Sequence, residues 1–420
     1  MGLSDAIRIM GTTARISGVS DLNLVAEVEA HQRKLVAAKP GLAEKNTVAI
    51  AQGMHGDLYA RPIQAMLELA RGTALNDDPE IAAVARRWSV LRHLGVFALD
   101  PSTGGLRLNQ KALRFIGPNQ RRVLSEELGI GFGIVAAKAW CRARNRAVGP
   151  ITAIDVDRAL YRGDVPQLRR NGDRQPDYLL SYPDPATPSA KVFELLETKG
   201  TVSVANAKGQ LGRAVTQLAG LTVSGRPMTG IATATVSSNK DGITVFTVDP
   251  EESPITWTPS DEQVDRRRTG STRLRRKVSK LDVDMDDFFS SAVSVDNAAL
   301  AEYSGQYDSA INWLPARGRR GSGRGNIRVQ RETEIGTFVG VEYVVEVGDG
   351  SRLRLFQGVE RHVAEQLAGN DASAVAHAQH SFATAASDRG SDLQVDDSDA
   401  EKAAAIALSS DGSLLELASD

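Results

Sequence analysis

A short apolar strand that ends in an acid and a base constrains this chain more than any other feature. The segment KVFELLETKG (191–200) has the composition of a buried strand, yet Glu197 and Lys199 stand near its end. Side chains alternate between the faces of a strand, so Glu197 and Lys199 point the same way as Phe193 and Leu195. Burying a carboxylate and an ammonium is costly unless the two pair or hold a metal ion. The sequence therefore predicts a charged site at the end of a buried strand.

A second strand-like segment, RQPDYLLSY (174–182), carries Asp177 near its start, and a loop rich in proline joins it to the first. An acid one strand earlier can converge with Glu197 and Lys199, and we expect the three to form a metal site. The alternative is a surface glutamate–lysine pair on an edge strand.

The composition is that of a globular protein with several domains. The chain has 420 residues, of which 41% are hydrophobic and 24% charged. It has no run of about 18 apolar residues and no signal-peptide pattern at its start, so we expect no membrane association and a cytoplasmic location. The single cysteine, Cys141, excludes a disulfide framework and a cysteine-rich zinc site.

Positive charge is concentrated in two blocks although the formal net charge is −2. Residues 266–277 contain seven cations and residues 317–331 contain six. Such blocks indicate a surface for a polyanion, although a solvated linker would have the same composition. The arginines that we expect to contact nucleic acid are Arg266, Arg267, Arg268, Arg273, Arg275, Arg276, Arg319, Arg320 and Arg324.

The N-terminal part of the chain reads as helices followed by a hairpin. Apolar spacing predicts helices over 21–37, 60–72 and 79–95, and residues 96–116 read as a strand, a tight turn, a strand and a short helix. This order fits a winged-helix DNA-binding unit, and it equally fits a helical cap on the next domain.

A long helix is predicted over 126–147 with Ser125 as its N-cap. Its three glycines, at positions 129, 131 and 133, indicate close backbone packing or a nearby ligand. Beyond it we predict a helix over 203–221, hairpins over 227–250 and 337–359, a helix near 359–368, a poorly ordered segment over 369–402 and a last hairpin over 405–418.

We divide the chain into four parts. Residues 1–120 form a helical N-terminal region with the possible winged hairpin, and residues 121–255 form the core that carries the charged site. Residues 256–368 form a basic accessory α+β region, and residues 369–420 form an acidic, partly disordered tail.

The order of helix, strand, strand, helix and strand in this core resembles the PD-(D/E)xK nuclease superfamily. Pro176-Asp177 matches the first motif of that family, and Glu197-Thr198-Lys199 matches the second. Each motif is short and common by chance, but their order, their strand placement and the helix after the lysine are together more specific. The resemblance covers less than a third of the chain.

The resemblance implies a restriction endonuclease-like core, which is an α/β (α+β) fold with a central mixed β-sheet flanked by helices. It also implies that Asp177 and Glu197 bind Mg²⁺, for which Mn²⁺ would substitute, and that the backbone carbonyl of Thr198 completes the coordination. Two carboxylates and a substrate phosphate suit Mg²⁺, which prefers oxygen ligands. Lys199 would orient or deprotonate the attacking water, or offset charge on the phosphate.

Further site residues follow from the same resemblance. A glutamate of the first core helix often faces the metal in that family, so Glu127, or Glu126 in its place, is a candidate ligand; both also fit simple acids at a helix start. On the later helix, Gln210 and Gln217 share one face, and Arg213 would contact nucleic acid with them. Lys208 is a further candidate for phosphate contact.

We therefore expect a Mg²⁺-dependent nuclease that acts on double-stranded DNA in restriction or anti-phage defence, a setting that rests on analogy. A homo-oligomer or a partner protein of a defence system is compatible with it. One alternative is a catalytically inactive nucleic-acid-binding or assembly subunit, and another is a transcription regulator centred on residues 60–116. The sequence has no phosphate loop of the GxxxxGK[ST] type and no arrangement of a nucleophilic serine or cysteine.

Overall fold

The computed structural model describes most of the chain. Its gaps are residues 40, 43–44, 46–47, 74–77, 146, 148, 162–164, 166–167, 171–173, 186–189, 224, 239, 251–254, 258–279, 315–327, 349, 389–402 and 420.

The helices are α1 (Leu3–Gly11), α2 (Leu22–Ala38), α3 (Pro62–Gly72), α4 (Pro79–Leu91), α5 (Gln110–Leu113), α6 (Pro118–Asn145), α7 (Val156–Tyr161), α8 (Val204–Leu218), α9 (Lys280–Tyr303), α10 (Tyr307–Trp313), α11 (Arg361–Gly369) and α12 (Ala372–Asp388). The strands are β1 (Ala14–Val19), β2 (Ala49–Ile50), β3 (Gly56–Ala60), β4 (Phe97–Leu99), β5 (Leu106–Leu108), β6 (Thr152–Asp155), β7 (Leu168–Arg170), β8 (Tyr178–Pro183), β9 (Lys191–Thr201), β10 (Leu221–Val223), β11 (Arg226–Pro227), β12 (Gly230–Ser237), β13 (Ile243–Asp249), β14 (Ile255–Trp257), β15 (Val329–Thr333), β16 (Gly336–Glu346), β17 (Arg352–Glu360), β18 (Ala404–Leu408) and β19 (Ser413–Ser419).

A large mixed sheet forms the centre of the molecule, and β9 lies in its interior. The strand order is β3-β1-β13-β12-β9-β8-β6, with β14 on β9 and β2 on β13. On one side β9 runs antiparallel to β8, with Tyr178 opposite Leu196. On the other side its C-terminal half runs parallel to β12, with Lys199 opposite Ala234. β9 is therefore not an edge strand, which excludes the edge-strand alternative, although its pairing with β8 ends at Leu196, one residue before Glu197.

The two faces of the sheet have different helices and separate apolar cores. On one face Leu196 belongs to the core that contains Phe132 and Trp140 of α6. On the other face Leu195 belongs to the core formed with α2, α8 and α9. Successive residues of β9 alternate between these cores, as the two-residue period of a strand requires.

A second, antiparallel sheet has the order β15-β16-β17-β19-β18 and packs with α11 and α12. The structure thus confirms a mixed α/β protein with a large mixed sheet flanked by helices. It also confirms the predicted hairpins over 96–116, 227–250, 337–359 and 405–418. No helix among the described residues is long and apolar enough to cross a bilayer.

Some predicted boundaries were wrong. The region over 1–120 is not only helical, because β1 pairs with β13 and with β3, so the large sheet extends across the boundary drawn at residue 120. The long helix begins at Pro118 rather than after Ser125, whose hydroxyl donates to the Arg122 carbonyl (2.8 Å) inside the helix. Ser125 is therefore not an N-cap.

The prediction of poor order over 369–402 was wrong for its first half. Residues 372–388 form α12, in which Val375, Ala378 and Phe382 recur at helical spacing and are buried. Small alanine side chains make this stretch look weakly apolar, but the three residues form one continuous stripe. Residues 389–402 lie outside the described residues.

Candidate active site

Asp177 and Glu197 meet where β8 begins beside the C-terminal half of β9. The Asp177 N–H donates to Glu197 Oε2 (2.8 Å), although the two residues are 20 positions apart in the chain. The N–H and hydroxyl of Thr198 both donate to Asp177 Oδ2, each at 3.1 Å. The antiparallel hairpin therefore fixes both carboxylates through backbone donors, and the two sequence motifs form one site.

Lys199 lies on the same face of β9 as Glu197, as the alternation of side chains predicts. Its Nζ donates to Glu197 Oε1. The Glu197 side chain is fully buried, whereas 24% of the Lys199 side chain is exposed. The lysine is thus the member of the pair that solvent or a substrate can reach.

Burial and neighbouring charge set the protonation of the pair. Burial, together with the negative charge of Asp177, raises the pKa of Glu197 well above its usual range, and Lys199 only partly offsets this. Burial alone would lower the pKa of Lys199, but the charges of Glu197 and Asp177 outweigh it and raise that pKa. Two carboxylates thus share one ammonium, so the site is short of positive charge.

Glycines bring α6 against the opposite face of β9. A Cβ on Gly129 would lie 2.6 Å from the Gly200 nitrogen, and one on Gly133 would lie 2.9 Å from Thr198 Cγ2. The close packing predicted from these glycines is confirmed. It clamps the stretch of β9 that carries Glu197 and Lys199, while their side chains point to the other face.

The structure does not bring Glu126 or Glu127 to this pair. Glu127 binds Arg92 and lies 3.5 Å from His93 Nε2. Glu126 is mostly exposed and lies 3.9 Å from Arg122. The physical reason is that α6 covers the face of β9 opposite to Glu197, so side chains of this helix meet Thr198 and Gly200 instead. The reading of the two acids as ordinary helix residues fits this placement.

Two charged residues near the site were missed in the sequence. Asp155 lies at the end of β6, opposite Tyr178 of β8, and burial raises its pKa to about 6, with Asp177 contributing. Its Oδ1 accepts the Arg158 N–H (2.9 Å) at the start of α7. In the sequence, an acid just before a helix is interpreted as an N-cap, so Asp155 was not considered as a site residue. Arg174 is close enough to lower the pKa of Lys199, and it donates to Thr216 Oγ1 (3.0 Å).

The predicted residues of α8 have different settings. Gln217 Nε2 donates to the Gln175 carbonyl (3.2 Å), two residues before Asp177, so this amide lies beside the site. Gln210 has a buried amide oxygen with no hydrogen-bond partner among the described residues, and Arg213 is exposed. Lys208 pairs with Glu27 at 2.7 Å. The nine arginines predicted in the two basic blocks all lie outside the described residues: Arg266, Arg267, Arg268, Arg273, Arg275, Arg276, Arg319, Arg320 and Arg324.

The oxygen atoms of Asp177 and Glu197 are the candidate ligands for a divalent cation. No group of three or more His, Cys, Asp or Glu side chains is arranged to hold a metal within the part of the chain that the structure describes. Mg²⁺, however, needs only one or two carboxylates, because water and phosphate oxygens complete its shell. Asp177 Oδ1 has no hydrogen-bond partner among the described residues, and its neighbour Glu197 carries an unfavourable buried charge. The pair therefore fits Mg²⁺ or Mn²⁺.

Comparison with protein-family models, with curated proteins and with solved structures gave no match.

Proposed function

We propose that this chain is a metal-dependent nuclease that hydrolyses phosphodiester bonds in DNA, with Asp177, Glu197 and Lys199 as its site. The observation that carries the proposal is the junction of β8 and β9, where Asp177 and Glu197 are joined by a backbone hydrogen bond of 2.8 Å and Lys199 binds Glu197. If Asp177, Glu197 and Lys199 were unrelated surface residues, nothing would require two buried strands to bring them together.

The chain order supports a PD-(D/E)xK core. From α6 the chain passes through β6, α7 and β7 to β8 and β9, and then through α8, β10 and β11 to β12, which pairs with β9 in parallel. Helices α6 and α8 cover opposite faces of β9. The assignment to a restriction endonuclease-like fold rests on this order and on the two motifs.

Asp177 and Glu197 would hold Mg²⁺ or Mn²⁺ together with the carbonyl of Thr198. In a strand, the N–H and C=O of one residue leave on the same edge, and the Thr198 N–H points to Asp177. The ion would supply positive charge to the reacting phosphate and lower the pKa of a bound water.

Lys199 acts as a cationic donor in this account. Its raised pKa keeps the ammonium form, so it donates hydrogen bonds to a water or a phosphate oxygen rather than accepting a proton. Glu197 holds the ammonium in place, and the exposed part of the side chain faces the substrate. Arg174, which acts on the same ammonium electrostatically, would add a second cation for the phosphate.

A catalytically inactive binding subunit is the second candidate. It is favoured by the absence of a third acidic ligand in the described part of the chain, since Glu127 binds Arg92. Titration with Mn²⁺ separates the two. An active site binds the ion through Asp177 and Glu197, so Asp177→Asn removes the binding, whereas an inactive subunit gives no signal for either protein. Activity in restriction or anti-phage defence is proposed by analogy alone.

Cleavage of DNA by purified protein tests the proposal. We expect cutting with Mg²⁺ or Mn²⁺, and loss of at least about a hundredfold in rate for Lys199→Ala with DNA binding kept. Arg361→Ala is the control, because Arg361 also pairs with a glutamate, Glu365 (3.1 Å), but lies on α11 beside the second sheet. Undiminished cleavage by Lys199→Ala would remove the assignment of the site.

A further inference from the structure

The segment that leads into α6 has an unusual charge. Between Pro101 and Ser125 the sequence contains five cations and no acid: Arg107, Lys111, Arg114, Arg121 and Arg122. This stretch lies in the described part of the chain and is separate from the two arginine-rich blocks over 266–277 and 317–331. It runs from the turn between β4 and β5 through α5 to the first two turns of α6.

Two of these residues, Arg114 and Arg121, line a cleft at the carboxyl end of β9. Its walls are formed by Leu113, Arg114, Arg121, Leu124, Val202 and Ser237, with further contributions from the start of α5. Val202 is three residues beyond Lys199, which is about 10 Å along an extended strand. Ser237 ends β12, the parallel neighbour of β9. The cleft therefore lies at the end of β9 on the α6 side of the sheet, and the side chains of Glu197 and Lys199 lie on the other side.

Part of the positive charge of the segment between Pro101 and Ser125 is not neutralised. Arg107 pairs with Asp100 (3.3 Å), and Arg122 lies 3.9 Å from Glu126. Lys111, Arg114 and Arg121 have no ion pair with any residue that the structure describes. Ser238, which also lines the cleft, hydrogen-bonds Asp241 at 3.4 Å. The cleft wall on the α5 side is therefore cationic.

An aromatic ring stands exposed beside this wall. Phe115 is 92% exposed, the highest value among the large apolar side chains. Its backbone is nevertheless held, because Arg121 donates to the carbonyls of Leu113 (2.8 Å) and Ile116 (3.0 Å), on either side of it. A single exposed apolar residue is ordinary. An exposed ring on a held backbone, one residue after the cleft residue Arg114, is suited to stack on a base while the neighbouring cations contact phosphates.

We infer that this cleft binds an unpaired strand of nucleic acid, with a base stacked on Phe115 and the backbone along Arg114 and Arg121. A duplex presents its bases already stacked, so Phe115 would not contribute to duplex binding. The inference rests on the proposed nuclease function, and it specifies the substrate as DNA with an unpaired segment, which would pass around the end of β9 between the cleft and the candidate active site.

Fluorescence anisotropy with a labelled oligothymidine and with a blunt duplex of equal length tests the inference, with EDTA present to prevent cleavage. We expect Phe115→Ala to weaken binding of the single strand about tenfold or more and to change duplex binding less than twofold. Phe115→Trp should restore single-strand binding. Arg114→Ala should lower the salt dependence of single-strand binding by about 0.7 in slope. Since Phe115 is almost fully exposed, its replacement leaves the core unchanged.

Tyr59→Ala is the matched control, because Tyr59 is also an exposed aromatic (68%) but lies on β3, four strands from β9. It should change neither binding constant. Equal single-strand affinity of Phe115→Ala and wild type would overturn the inference, and so would an equal loss on duplex. If Lys199→Ala abolishes cleavage but Phe115→Ala binds normally, only the cleft assignment fails. If the single strand binds as inferred but the wild type does not cut DNA, the nuclease proposal fails instead.

Discussion

Glu194 and Glu197 lie three residues apart on β9, on opposite faces of the sheet, and both are buried. Glu197 meets Lys199 and Asp177 at the candidate active site. Glu194 accepts the Tyr182 hydroxyl (2.8 Å) and lies 3.6 Å from Arg144, among the residues of α6. Glu194 and Tyr182 are buried on the α6 face, away from Asp177 and Lys199, so we assign Glu194 a structural role.

The free energy of unfolding should depend on whether the Glu194 carboxyl group is protonated. Burial raises its pKa from 4.5 to about 7, against the hydrogen bond from Tyr182 and the charge of Arg144. The folded state therefore holds this proton more tightly than the unfolded chain. The resulting stabilisation is complete below pH of about 4.5 and is lost as the pH rises through about 7.

Glu194→Gln stays neutral and can still accept the Tyr182 hydroxyl. Relative to this variant, the wild type should lose up to about 3 kcal/mol of unfolding free energy between pH 4.5 and 7.5. Urea denaturation of both proteins across this range measures the difference, with Glu365→Gln, an exposed carboxylate, as control. A constant difference between wild type and Glu194→Gln would contradict the assignment.

At the scale of elements, the contact between α6 and β9 holds the site in place. A Cβ on Gly200 would overlap the Ser125 carbonyl oxygen, which is backbone and cannot rotate away. Separation of α6 from β9 would move the strand that carries Lys199. The packing of two backbones is therefore part of the geometry of the site.

Gly200→Ala should lower the unfolding free energy by about 3 kcal/mol or more, since either the helix or the strand must shift. Gly117→Ala is the matched control, because a Cβ there meets no atom within 4 Å. Chemical denaturation compares the three proteins. If Gly200→Ala unfolds at the same denaturant concentration as wild type, the close contact described here is incorrect.

The elements with clear periodicity could be predicted from sequence, and those set by distant partners could not. The hairpin of β16 and β17 and the helix α8 follow from alternation and apolar spacing. Strand β1 was missed because its pairing with β13 joins residues more than 200 positions apart, and β3 was missed because it pairs with β1. In the site, Asp177, Glu197 and Lys199 were identified by their types and order. Asp155 was not, because its proximity to Asp177 depends on the pairing of β6 with β8.

At the scale of the whole molecule, buried ion pairs join the C-terminal hairpin to the helices of the large sheet. Arg71 of α3 binds Asp411, in the turn between β18 and β19. Lys138 of α6 binds Glu68 (2.6 Å) and the Ser409 hydroxyl (3.1 Å). Removal of Asp411 leaves Arg71 buried with only a more distant carboxylate, Asp296 at 3.9 Å. The two sheets should therefore unfold together.

Asp411→Ala should lower the unfolding free energy by about 3–5 kcal/mol, because Arg71 stays buried. Arg361→Ala breaks an exposed pair with Glu365 and should cost about 1 kcal/mol or less. Urea denaturation followed by circular dichroism measures both. Equal small effects of the two substitutions would show that the buried pair does not couple the two sheets.

The most direct test of the site as a whole is the initial rate of Mg²⁺-dependent cleavage of circular plasmid DNA by wild type and by Lys199→Ala, at protein concentrations that saturate the DNA. We predict that the wild type cuts, that chelation of the metal stops it, and that Lys199→Ala binds the plasmid but cuts at least about a hundredfold more slowly. The same DNA in linear form distinguishes cutting within the strand from cutting at ends. Equal rates for wild type and Lys199→Ala would contradict the central claim.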